Sequence, residues 1–168
     1  MEIKKATPQD HAKMAYIWSE CIMETCYFLT TSEINKLEKV FEENFLNNSK
    51  ITHLTQWMDG ALIGFASMRD NEILFTPILP KLFGKGYGEF MIKYLLEKFD
   101  VEYTYTYCSD MHSLAFYSAL GFEIKGKIDD IFFGNDYKLN QLKLGVSREE
   151  AIRRIDYKIN NNPALSKA

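Results

Sequence analysis

The stretch from Glu72 to Gly88 constrains the fold more than any other part of the chain. Glu72-Ile73-Leu74-Phe75-Thr76-Pro77-Ile78-Leu79 has the apolar density of a buried strand, yet Pro77 stands inside it. Proline has no N–H to offer a neighbouring strand, so the run predicts a strand that is bulged or splayed at that point. A glycine loop, Phe83-Gly84-Lys85-Gly86-Tyr87-Gly88, follows and opens a helix from about Gly88 to Phe99, with Met91, Tyr94 and Leu95 inward. Glycines let backbone N–H groups approach an anion, and a helix N-terminus adds partial positive charge. A phosphate or pyrophosphate is the natural ligand, and Lys81 and Lys85 add charge. A tight turn that needs glycine only for its backbone angles is the plainer alternative. Two nucleotide patterns fail here. The Walker pattern asks for Gly-Lys-Ser/Thr, where this chain has Gly88-Glu89-Phe90. A Rossmann loop follows the first strand, whereas this one lies mid-chain after an antiparallel hairpin.

The flanking sequence supplies the rest of a sheet. Residues 51–58 alternate, Asp59-Gly60 is a hairpin turn signal, and residues 61–68 return. Ile3 to Ala6 reads as a first strand. Thr7-Pro8-Gln9-Asp10 then starts a helix that carries Met14, Ile17, Trp18, Cys21 and Ile22 on one face. Thr30 and Glu33 form a capping box for a second helix, which runs through Ile34, Leu37, Phe41 and Phe45 to Asn47-Asn48-Ser49. Past the glycine-loop helix come a strand over 101–107, a helix from about His112 stopped by Gly121, and strands near 122–127 and 136–144. Ser147-Arg148-Glu149-Glu150 caps a last helix through about Tyr157, broken by Asn160 to Pro163, with a frayed tail beyond. The sum is one α/β domain with a C-terminal helical appendage.

Composition narrows the function. A chain of 168 residues can bury about 70% of its unfolded surface, so a real core is available. Twenty basic against 23 acidic residues leave a net charge of −3, which argues against nucleic-acid binding by bulk charge. No apolar run approaches the roughly 20 residues of a membrane span, and Met1 to Lys5 leads into no signal-peptide core. Cys21, Cys26 and Cys108 lack disulfide or zinc spacing, and His11, His53 and His112 are scattered, so no metal site is expected. Free thiols in a reducing cytoplasm are the expectation.

A second constellation, Asp110-Met111-His112-Ser113-Leu114-Ala115-Phe116-Tyr117-Ser118-Ala119-Leu120-Gly121-Phe122, lies one strand after the glycine loop. Adjacent helical residues point about 100° apart, so Phe116 can pack on the sheet while Tyr117 points to a cleft edge. Two core aromatics are the plain reading. Together the two segments resemble the GNAT acyltransferase superfamily. Its acetyl-CoA motif has the form Gln/Arg-x-x-Gly-x-Gly/Ala, opening a helix after a strand, and residues 78–88 match it. Its second signature, Asn-x-x-Ala-x-x-Phe-Tyr-x-x-x-Gly-Phe, is met at Phe116, Tyr117, Gly121 and Phe122. Phe83 stands at the Gln/Arg position, Asp110 at the Asn and Ser113 at the Ala. The resemblance covers about residues 1–145. It implies a GNAT-like domain there, of class α/β (α+β), with a mixed, mostly antiparallel sheet of about six to seven strands flanked by helices. Residues 146–168 would be a C-terminal helical extension.

The resemblance also implies acetyl-CoA as cosubstrate and transfer of its acetyl group to a primary amine of a small molecule or peptide. Such a transfer needs the amine deprotonated, the thioester carbonyl polarised and the leaving thiolate protonated. A free alkyl ammonium titrates near 10.4, so the site must accept a proton at neutral pH. By resemblance, Ile78 and Leu79 would hold the pantetheine arm and Gly84 to Gly88 the pyrophosphate, with Lys81, Lys85, Tyr87, Ser113 and Phe116 around the cofactor. Tyr117 would protonate the sulfur. Asp110 near the cofactor either repels phosphate or takes the acceptor amine. Glu72 is placed like the base of the histone-acetylating branch, with a water chain as the alternative. Trp18, Glu24, Tyr27 and Phe28 would build the acceptor pocket. Two other readings stay open: a non-catalytic acyl-CoA sensing module, and an interaction domain assembling through the C-terminal helix. Edge strands of such a sheet also leave a homodimer open.

Overall fold

The computed structural model of the protein describes residues 1–132 and 136–163. Its seven strands are β1 (Glu2–Lys5), β2 (Thr52–Met58), β3 (Ala61–Arg69), β4 (Glu72–Phe75), β5 (Tyr103–Tyr107), β6 (Phe122–Asp129) and β7 (Lys138–Leu144). They form one sheet in the order β1-β2-β3-β4-β5-β7-β6. Each neighbouring pair is antiparallel except β4 and β5. Five α-helices flank it: α1 (His11–Thr25), α2 (Thr31–Val40), α3 (Tyr87–Lys98), α4 (Met111–Leu120) and α5 (Arg148–Asn160). The tail expected to fray lies, from residue 164 on, outside the described residues.

Local chemistry accounts for most of the boundaries. The β2–β3 hairpin turns through Asp59 and Gly60, both at positive φ (50° and 77°), the conformation that keeps hairpin strands in register. Thr30 Oγ1 accepts from the Glu33 N–H, and the Glu33 carboxylate accepts from the Thr30 N–H, so α2 begins with the expected capping box. The α2 helix continues through Phe41–Phe45 as a π-helical turn, and Phe41 stacks on Trp18 at 4.6 Å. α1 starts later than its sequence implies, because Pro8–Asp10 forms a 3₁₀ turn first. α5 runs three residues beyond the expected Tyr157.

Strand alternation divides the core. On one face of the sheet, Ala66, Met68 and Ile73 meet Met91, Ile92 and Leu95 of α3 and Ala151 and Ile155 of α5. On the other face, Phe65 and Leu139 meet Met14, Ile17 and Trp18 of α1 and Phe41. α5 therefore shares the α3 core. A ladder of contacts sets the two helices antiparallel. Arg148 donates to the Leu96 and Phe99 carbonyls at 2.8 and 2.6 Å, which satisfies the open end of α3. Lys93 bonds Asp156 at 2.6 Å, Lys158 pairs with Glu89, and Asn162 Nδ2 donates to the Gly84 carbonyl at 3.2 Å.

The β4–β5 pair is short. It is registered only at Glu72 with Tyr103 and Ile73 with Thr104. β4 ends at Phe75 rather than near Leu79, and the chain beyond keeps its strand pairing with β3 alone. Phe65 N–H donates to the Pro77 carbonyl at 3.1 Å, and Leu79 N–H donates to the Ile63 carbonyl at 2.9 Å. Gly64 faces Ile78 in this bridge, and a methyl group there would sit 2.9 Å from the Pro77 oxygen. A glycine on β3 thus lets the proline-bearing segment come close while β5 departs, opening a V in the sheet.

Candidate active site

Two cavities meet inside that V. One, of 340 Å³, lies against the glycine loop and is lined by Ile78, Phe83, Gly84, Gly86, Gly88, Glu89, His112, Phe116 and Lys158. The other, of 80 Å³, lies over β5 and is lined by Trp18, Ile22, Leu74, Phe75, Tyr105, Tyr107, Asp110 and Phe132, among others. Cys21, Thr25, Thr76, Ser113 and Tyr117 line both, so they stand where the two spaces join.

Hydrogen-bond geometry assigns the free backbone group. In the Gly64–Ile78 bridge the bonds to β3 come from the residues on either side of Ile78. Ile78 therefore directs its own N–H away from β3, toward the side that β5 has left. The Ile78 N–H is aimed at the Cys21 sulfur and offsets part of a rise, caused by burial, that lifts the Cys21 thiol to about 12. Such a thiol is not a nucleophile at neutral pH. Leu79 has no such freedom. Its N–H belongs to Ile63, and its expected role on a cofactor arm is corrected accordingly.

Tyr117 is buried at the junction, and its hydroxyl lies 2.5 Å from Thr76 Oγ1. Burial raises its pKa, against the opposing effect of hydrogen bonds from Thr76 and Thr104, so the phenol keeps its proton. Gly84 and Gly86 have φ of 72° and 89°, the left-handed region open to glycine, and Gly86 caps α3. At Gly88 a methyl group would lie 3.3 Å from the Phe116 ring. The loop can therefore sit close to α4 and turn the unpaired N–H groups of the first turn of α3 toward an anion. These features fit a pyrophosphate and pantetheine arm.

Several expected residues fall elsewhere. Lys81 and Lys85 are exposed and line neither cavity. Lys81 sits on a 3₁₀ turn (Pro80–Leu82) that points it toward a separate groove. The Tyr87 side chain packs against Ile63, Ile78 and Leu82, while its carbonyl accepts from Gln56 Nε2. Asp110 is the N-cap of α4, where its carboxylate accepts from the Ser113 N–H at 3.0 Å and from Ser113 Oγ at 2.7 Å. It faces the smaller cavity and not the glycine loop. Of the four acceptor residues only Trp18 lines that cavity. Glu24 and Tyr27 are exposed, because Glu24 leaves the stripe that Trp18, Cys21, Ile22 and Thr25 make along α1, and Tyr27 lies past its end. Phe28 packs on Tyr107 and Tyr137 instead.

Glu72 also moves. Strand alternation puts it on the face of Leu74 and Thr76, but it sits where β4 and β5 are still paired, so it does not line the opening. Its carboxylate accepts from Arg69 at 3.1 Å and from the Tyr105 hydroxyl. Tyr105 does line the smaller cavity, and burial with the Glu72 contact lifts its phenol to about 12. Two residues on, Tyr107 repeats the arrangement with Asp130 at 3.2 Å, and burial raises its pKa as well. Sequence reasoning missed this pair of tyrosines backed by carboxylates, although the alternation in Tyr103-Thr104-Tyr105-Thr106-Tyr107 places both on one face. It also missed Cys21 and Thr25 as lining residues, which their helical spacing from Trp18 signals.

A glycine loop at a helix N-terminus beside a parallel pair that splays is the architecture of the GNAT N-acetyltransferases, and the chain has that fold. No protein-family model matches it. Among solved structures it is similar to YjaB from Escherichia coli, at 18% identity and a TM-score of 0.77, over 87% of this chain and 98% of that one. It is similar to a GCN5-related N-acetyltransferase from Rhodopseudomonas palustris at 19% identity and a TM-score of 0.71, over 86% and 95% of the two chains. It is also similar to the PaiA N-acetyltransferase of Thermoplasma acidophilum in complex with coenzyme A, at 20% identity and a TM-score of 0.66, over 84% and 98%. Among the described residues no helix is long and apolar enough to cross a membrane.

Proposed function

We propose that the protein transfers an acetyl group from acetyl-CoA to a primary amine of a small molecule or peptide, by direct attack in a ternary complex. The observation that carries this reading is the junction. One cavity has the glycine loop, the other the β5 tyrosines, and Tyr117 with its raised pKa stands between them. The coenzyme A complex of the Thermoplasma protein supports the choice of cofactor.

The lining of the smaller cavity supports an amine acceptor. Its described lining residues include no lysine or arginine, one carboxylate (Asp110), and two tyrosines held by Glu72 and Asp130 behind them. A site of that polarity favours a cation on entry and a proton leaving toward a carboxylate. In this scheme the Ile78 N–H polarises the thioester carbonyl, and Tyr117 gives its proton to the departing sulfur. Glu72 takes the amine proton through Tyr105 or through water.

The test is a thiol-release assay with acetyl-CoA over polyamines, aminoglycosides, amino acids and N-terminal peptides. Release that depends on one amine class supports the reading. Acetyl-CoA bound without release across the panel would make the protein a non-catalytic acyl-CoA module.

A further inference from the structure

We propose that Lys158, on the C-terminal helix, is a phosphate ligand of the coenzyme A site. The inference rests on the cofactor assignment just made. Three observations converge on it. First, Lys158 is the one lysine or arginine among the described residues lining the larger cavity, since Lys81 and Lys85 are not part of that lining and Phe83 brings no charge. Second, its ammonium lies 3.5 Å from the carboxylate of Glu89, which also lines that cavity, in the first turn of α3 beside Gly88. Third, the helix is held in register there. Asp156 bonds Lys93 one turn along α3, and Asn162 clasps the Gly84 carbonyl of the loop itself.

The electrostatics need such a cation. A phosphate arriving at the helix N-terminus meets the positive end of α3, but also the Glu89 carboxylate, which sits in the same turn. With Glu89 unopposed, like charges at that distance would cancel much of the attraction. Lys158 neutralises Glu89 while the site is empty. With coenzyme A bound, its three N–H donors serve the carboxylate and a phosphate oxygen together. The C-terminal helix is then part of the cofactor site, and a chain cut before Arg148 would lose the ligand as well as core packing.

Calorimetric titration with coenzyme A separates this role from simple charge balance. Lys158→Met should weaken binding about tenfold, as expected for one charge-assisted hydrogen bond, and Lys158→Arg should restore most of it. Glu89→Gln should bind more tightly than the parent. In the Glu89→Gln background the Lys158→Met loss should persist. If Lys158→Met/Glu89→Gln binds as tightly as Glu89→Gln alone, the lysine only shields Glu89 and the proposal is overturned. Parent protein that binds coenzyme A while Lys158→Met binds equally well overturns this inference and leaves the cofactor reading standing. Parent protein that does not bind coenzyme A overturns both.

Discussion

Tyr117→Phe isolates a single hydroxyl. The ring is 5% exposed and packs edge-on against Phe116 and Phe122 at 5.1 and 5.5 Å, contacts that phenylalanine keeps. What disappears is the 2.5 Å bond to Thr76 Oγ1, the lesser contact with Thr104 and the phenolic proton. Loss of one buried hydrogen bond costs about 1 kcal/mol. For a domain of this size that lowers Tm by roughly 2–4 °C. If the phenol protonates the leaving thiolate, kcat should fall by about 10²-fold with little change in acetyl-CoA affinity. Thr76→Val supplies the control, because it breaks the same bond and leaves the phenol in place. The two variants should lose similar stability, measured by thermal unfolding, yet Thr76→Val should keep most of its turnover in a thiol-release assay limited by chemistry. Equal turnover losses in both variants would reduce Tyr117 to a packing and positioning residue. So would unchanged turnover in Tyr117→Phe.

Gly86→Val places a β-branched residue at φ 89° in the cap of α3, where the strain of a left-handed conformation adds to a side chain introduced in the lining of the larger cavity, the proposed phosphate site. Coenzyme A affinity should fall by well over tenfold, and unchanged calorimetry in a folded variant would remove the pyrophosphate from this loop. Glu72→Gln should flatten the acidic limb of the kcat/KM pH profile, and Tyr105→Phe should do the same if the proton passes through that phenol. A parental profile in both would leave water or Asp110 as the acceptor. His53, buried with Nδ1 2.7 Å from Ser67 Oγ, has its pKa lowered from 6.5 to about 4 by burial, against the opposing effect of the Phe45 carbonyl. The unfolded chain takes up that proton first as pH falls. The His53 contribution is therefore intact above about pH 6.5 and is lost between there and pH 4, by up to about 3 kcal/mol. Urea unfolding at pH 7.5 and 4.5 should show a smaller difference in His53→Gln than in the parent; an equal difference assigns the acid loss to other groups.

Much of the architecture was written locally. Pro77 takes one N–H out of any ladder it joins, Asp59-Gly60 forces a hairpin, Thr30 with Glu33 and Ser147 with Glu150 start helices, and Gly121 ends one at φ 109°. These are effects of neighbouring residues on each other, and they survive in any fold that contains them. The two glycine and aromatic signatures likewise need only short spacing to be seen. The site's long-range polarity is different. Whether Ile78 or Leu79 keeps a free N–H depends on the register of β3, and on a glycine, Gly64, that lies 14 positions away. Glu72 alternates onto the right face, but the strands do not part until after Ile73, so its carboxylate meets Arg69 and Tyr105 first. Asp110 stands in the second signature in sequence, and is an α4 cap facing the smaller cavity in space. Lys158 lies about 70 residues from the loop it serves and reaches it only because α5 packs antiparallel on α3. A residue's own conformational limits can be read from its neighbours in the chain, whereas the direction of an N–H, the partner of a carboxylate and the approach of a distant cation are set by which strands and helices come to lie side by side.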